Sequence, residues 1–121
     1  MITEDYVSFE VAKLLKEKGF DTFKPYGWDE ELFDKEYPRN FSIGFDNKEH
    51  WISCPTHQVA MKWLREMHGL IISIEYQIIC PTWKWRIYIK SSDDKHTDFQ
   101  HYNKYEEAVE SALKYCLENL I

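Results

Sequence analysis

Residues 54–69, CPTHQVAMKWLREMHG, and 70–90, LIISIEYQII-CPTW-KWRIYIK, decide how this chain folds. The first block carries Val59, Ala60, Trp63, Leu64 and Met67 at helical spacing, opposite Gln58, Lys62, Arg65 and Glu66. That pattern predicts an amphipathic helix. Pro55 suits its first turn, Ser53 or Thr56 its cap, and Gly69 its end. Alternation then takes over, so the second block reads as two strands of a β-hairpin. Leu70, Ile72, Ile74, Tyr76 and Ile78 share one face of the first strand; Trp85, Ile87 and Ile89 share one face of the second. Setting Ile79 against Lys84 puts both apolar faces on the same side, with Gln77 opposite Arg86 and Glu75 opposite Tyr88.

Outward from this block, a first helix is expected from Ser8 to Lys18, capped by Ser8 and closed by Gly19, with Phe20 folding back on Leu15. A last helix is expected from about Lys104 to Asn119. Asn103 and Glu106 have capping-box spacing, and Tyr105, Ala108, Val109, Ala112, Leu113, Cys116 and Leu120 form its apolar stripe. Residues 91–103 read as a polar loop, with a short third strand at Asp98–Tyr102. Segment 20–53 is rich in aromatics, from Phe23 to Trp51, and is broken by Pro25 and Pro38. A short helix from Asp29 to Glu36 and a short strand near Phe41–Phe45 are expected there.

The fold class is therefore α+β: a small antiparallel sheet of two or three strands with two helices packed on one face, in the order α-α-β-β-(β)-α. The 121 residues are read as a single domain, with an N-terminal helix (8–18), an aromatic segment (20–53) and an α-β-β-α body (54–121). That length suffices for a core without disulfides or metal.

Net charge is −6, unevenly spread: −5 over residues 1–53, +3 over 54–90 and −4 over 91–121. The overall sign opposes non-specific nucleic-acid binding, which depends on neutralising phosphates. Three cysteines, Cys54, Cys80 and Cys116, do not make a disulfide framework and suggest a reducing cytoplasm. The opening MITEDYVSFE has no basic n-region and no apolar h-region, so no signal peptide is expected. No apolar run approaches the roughly 18 residues of a spanning helix, and the longest is interrupted at Ser73 and Glu75.

The run CPTHQVAMKWLREMHGLIISI, the second strand and the ending YEEAVESALKYCLENLI resemble a group of short uncharacterised proteins of Bacteroides-type gut bacteria and their mobile elements. The opening DYVSFEVAKLLKEKGF shares the resemblance, whereas residues 21–53 fall where such proteins vary. The resemblance supports the element boundaries and implies no activity for any residue. The order helix, strand, strand, third strand, helix over residues 55–119 also resembles the double-stranded-RNA-binding domain. The lysines that module presents at its second helix are replaced here by Glu106 and Glu107. That likeness implies architecture alone.

Chemistry-bearing residues are few. Cys54 and His57 have a C-x2-H spacing, but a second close pair for a four-ligand zinc site is missing. The same two residues could make a thiolate–base pair at a helix start, or simply a packed cysteine and a first-turn histidine. Asp93, Asp94, His96, Asp98 and His101 could bind a divalent ion or form a solvated loop. Lys84, Arg86, Tyr88 and Lys90, with Trp83 at the turn, interleave basic and aromatic residues as single-strand binders do. Cross-strand pairing with Glu75 and Gln77 uses the same residues without a ligand. There is no P-loop, GxGxxG, HExxH or GxSxG motif. No catalytic residue, metal or cofactor is expected. The leading expectation is a non-enzymatic protein-interaction module, with a homodimer through segment 20–53 or the sheet edge. A nucleic-acid-binding regulator encoded on a mobile element comes second, and a cysteine-based enzyme third.

Overall fold

The computed structural model describes residues 5–31, 37–42, 48–98 and 100–121. It is an α+β protein with helices and two small antiparallel sheets, and the described residues gather into two compact units, 1–56 and 57–121.

In the first unit, α1 (Phe9–Glu17) starts where Ser8 Oγ accepts the Val11 amide at 3.2 Å. It ends as expected: Phe20 N–H returns to Leu15 O at 2.9 Å and Gly19 N–H to Lys16 O at 3.2 Å, while Phe20 and Leu15 are buried. Three short strands follow, β1 (Tyr26–Asp29), β2 (Arg39–Asn40) and β3 (Trp51–Ser53), in sheet order β2-β1-β3. The helix expected from Asp29 does not start there, because Asp29 closes β1 and its carboxylate accepts the Glu31 amide at 2.9 Å in a turn. Residues 32–36, the rest of that expectation, lie outside the described residues, as does most of the strand expected at Phe41–Phe45. The observed strand comes just before it, at Arg39–Asn40.

Gly27 is what lets β1 sit at the centre of this sheet. A Cβ there would drive into the Ile52 carbonyl, so only glycine permits the approach of β3. Aromatics fill the unit by packing edge to face: Phe9 on Trp28 (5.4 Å), Phe23 on Phe41 (5.2 Å) and Phe41 on Trp51 (5.2 Å). Trp51 also donates Nε1–H to Lys24 O at 2.8 Å. Among the described aromatics of segment 20–53, Phe20, Trp28 and Trp51 are buried, whereas Phe23 and Tyr37 are exposed.

The second unit runs α2 (His57–His68), β4 (Leu70–Gln77), β5 (Thr82–Ile89), β6 (Lys95–Thr97) and α3 (Tyr105–Tyr115), which widens into a π-helical turn at Cys116–Leu120. The sheet order is β4-β5-β6. α2 packs on β4, α3 on β4 and β5, and the two helices on each other. Gly69, at φ +66°, turns the chain from α2 directly into β4. Leu64, Ile87, Val109, Leu113 and Leu117 form the dry centre. Each such side chain contributes about 1.5–3 kcal/mol by leaving water.

Four expectations are corrected here. The hairpin register places Glu75 opposite Lys84 and Gln77 opposite Thr82, four positions from the expected pairing. Parity is kept, so the apolar faces still coincide, but the turn becomes Ile78–Pro81. The buried face of α2 is His57, Ala60, Met61 and Leu64, while Met67 is 68% exposed. A histidine at the head of the stripe hides the true phase from an apolar count. The third strand is Lys95–Thr97, because Asp98 breaks it by accepting the Gln100 amide at 2.9 Å. Asp98 N–H still reaches Trp85 O at 3.4 Å, and Tyr102 rejoins the sheet by reciprocal backbone bonds with Trp83 (2.7 and 2.8 Å). Phe99 lies outside the described residues. Finally, α3 is capped by Lys104 without a side-chain bond, so Asn103 is not its cap.

Candidate interaction surface on the β4–β5 hairpin

Strand alternation sorts the hairpin into two faces. Leu70, Ile72, Ile74 and Tyr76 lie against Ile89, Ile87, Trp85 and Trp83. Trp85 donates Nε1–H to Ser111 Oγ of α3 at 3.1 Å, which marks this as the helix-bearing face. The other face carries Ile71, Ser73, Glu75 and Gln77 beside Tyr88, Arg86, Lys84 and Thr82, and β6 adds Lys95 and Thr97.

Lys84, Arg86 and Tyr88 are thus brought together, with exposed Lys90 just beyond β5 on the same parity. Trp83 is not with them. It lies on the helix-bearing face, with its ring 4.9 Å from Tyr76 and 5.3 Å from Tyr105. Arg86 Nη1 sits 3.4 Å from Glu75 Oε1 and 3.5 Å from the Tyr88 hydroxyl. The hydrogen bond to Tyr88, and then the charge of Glu75, raise the guanidinium pKa above its ordinary value. The basic face is therefore partly engaged with itself, and Tyr88 is its one aromatic residue from the expected set.

The sheet edge is an expected contact surface; the exposed tip is not foreshadowed by the residue pattern. Ile78 is 85% exposed and Ile79 99% exposed. Both continue the apolar run and therefore fall within the expected strand; the Cys80–Pro81 pair that follows is the available signal for an earlier turn. The turn closes on polar atoms: Thr82 Oγ1 donates to Cys80 O at 2.9 Å and lies 2.8 Å from His101 Nδ1. Between the two strands, Lys90 N–H bonds Gly69 O at 2.8 Å. Odd positions of β4 therefore bond β5, and the backbone groups of Leu70, Ile72, Ile74 and Tyr76 point away from it. Among the described residues no strand pairs with that edge.

The other candidate residues are held in packing arrangements. Cys54 is buried, three residues before α2, and its thiol donates to Val7 O at 3.4 Å. His57 is buried in the first turn of α2 with Nε2 2.9 Å from Glu110 Oε1. The residues of the 93–101 loop disperse: His96 Nδ1 meets the Tyr115 hydroxyl at 3.1 Å, and His101 meets Thr82. Asp98 receives the Tyr102 hydroxyl, which sits 2.7 Å from Ser111 Oγ. Burial first, and then this bond to Asp98, raise the Tyr102 pKa. The resulting chain Trp85–Ser111–Tyr102–Asp98 ties β5 to α3. Among the described residues no group of three or more His, Cys, Asp or Glu is placed to hold a metal ion. No helix among them is long and apolar enough to cross a membrane.

No family model, no curated protein and no solved structure matches this chain.

Proposed function

We propose that the chain is a small cytoplasmic protein-interaction module without enzymatic activity, and that the β4–β5 hairpin is its binding element. The observation that carries this reading is the exposure of Ile78 and Ile79 at the hairpin tip, beside half-exposed Tyr76. Large apolar side chains held together in water are a standing cost that a partner removes. The burial of Cys54 and its bond to Val7 weigh against the cysteine-enzyme reading, which needs an accessible thiolate.

The test places a photo-crosslinking benzophenone side chain at position 79 in cells, with position 62 on exposed α2 as control. A discrete protein adduct from position 79 and none from position 62 is the expected outcome. No adduct from position 79 rejects the reading.

A second reading is supported by the shared face of Lys84, Arg86 and Tyr88: single-stranded nucleic acid held by a basic sheet surface. Against it stand the Arg86–Glu75 pair and the placement of Trp83 on the opposite face. A gel shift with short RNA and single-stranded DNA at low salt tests it, and no shift is expected.

A further inference from the structure

We infer that the partner of the hairpin is a second copy of this chain, joined by antiparallel pairing of β4 with β4 about a two-fold axis at Ser73. This rests on the protein-interaction reading and names its partner. β4 is an edge strand of eight residues, Leu70–Gln77, without proline and with Glu75 as its one charge. Edges of that kind usually carry a lysine, a proline or a bulge that blocks pairing. The backbone groups of Leu70, Ile72, Ile74 and Tyr76 face outward along it.

One register gives all four outward residues a counterpart. It sets Leu70 against Tyr76 of the second copy and Ile72 against Ile74, and the reverse. Each of these pairs exchanges two N–H···O bonds, so every outward group of the strand is satisfied. The side chains of those residues extend the apolar layer of the helix-bearing face from one copy into the next. On the other face Glu75 falls opposite Ile71 of the second copy, so the two acids do not oppose each other. Shifting the axis to Glu75 would put them face to face, which like-charge repulsion disfavours. Continued past Gln77, the same register runs the Ile78–Ile79 tip of each copy toward the Met67–His68 end of α2 in the other. Met67 is 68% exposed there and is not among the buried residues of α2. Among the described residues, the most exposed isoleucines and the most exposed methionine thus belong to one self-complementary surface.

The axis makes Ser73 the diagnostic position. Ser73 would face Ser73 of the second copy in a non-hydrogen-bonded pair, where side chains come closest. Within one chain it lies beside Arg86 on the polar face, away from the core. Sedimentation equilibrium of the full chain at micromolar concentration reads the result. The wild type is expected to be dimeric. Ser73→Lys and Ser73→Glu are each expected to weaken the dimer by up to about fivefold, the cost of a like-charged cross-strand pair. An equimolar mixture of the two variants is expected to recover a dimer. If Ser73→Lys fails to fold, Ser73→Glu, whose carboxylate faces Arg86, carries the test alone. A monomeric wild type, or variants as dimeric as the wild type, overturns the pairing. The position-79 adduct separates the two readings: a monomer that still crosslinks to another protein loses self-pairing and keeps the interaction module, and a monomer with no adduct loses both.

Discussion

His57 Nε2 lies 2.9 Å from Glu110 Oε1, joining the first turn of α2 to the middle of α3. His57 is 5% exposed, and a buried imidazole needs a partner for its polar nitrogens. Glu110→Ala removes that partner and is expected to destabilise the protein by about 1–3 kcal/mol, the cost of an orphaned buried polar group. Glu110→Gln keeps a hydrogen-bonding group in place and should lose less. Urea unfolding midpoints of the two variants check the order; equal midpoints for wild type and Glu110→Ala reject it.

Cys116 is fully buried, and burial pushes its thiol from the ordinary 9.0 up to about 12. A folded pKa above the unfolded one means that this contribution to stability is intact below about 9. It is lost as pH rises from there toward 12, because the unfolded chain sheds the proton first. Cys116→Ala should therefore show a shallower decline of melting temperature between pH 8 and pH 10.5 than the wild type. Parallel declines would contradict the assignment. At neutral pH, iodoacetamide should label exposed Cys80 rapidly and buried Cys54 and Cys116 only after denaturation.

Gly27→Ala should be among the most damaging small substitutions in residues 1–56. The added methyl meets the backbone of Ile52, which cannot rotate away as a side chain can. Overpacking of this kind costs roughly 1–3 kcal/mol. A melting temperature within a degree of the wild type would show that β3 shifts to make room.

Two isoleucines in one hairpin should behave oppositely. Ile87 is fully buried, so Ile87→Ala is expected to cost about 2–5 kcal/mol. Ile79 is 99% exposed, so Ile79→Lys should change stability by no more than about 0.5 kcal/mol. It should also abolish crosslinking from neighbouring position 78 if the tip is the contact. Chemical denaturation reads the first pair of values and the crosslink the second.

What could be read in the residue order is what local spacing controls. Ser8, Gly19 and Phe20 bounded α1 correctly because caps and stops are made within one turn of helix. The hairpin's faces were legible because side chains alternate along a strand, whatever its register. Register itself was not, since it depends on where the turn closes. Ile78 and Ile79, apolar and β-branched, look like strand until Pro81 and Thr82 are seen to start the return.

The chain by itself determined the α+β class, the helix at residues 57–68 and the glycine that turns it into β4. Tertiary structure alone decided the phase of α2, the three strands of residues 26–53 and the surface of the hairpin. His57 enters the core only because Glu110, distant in sequence, is there to receive it. Gly27 is a strand centre only because Ile52 approaches it. Cys54–Lys90, the stretch that organises the fold, therefore shows its candidate surface at the Ile78–Ile79 tip and along the β4 edge. Exposure and unpaired backbone are properties of what surrounds a residue, not of the residue.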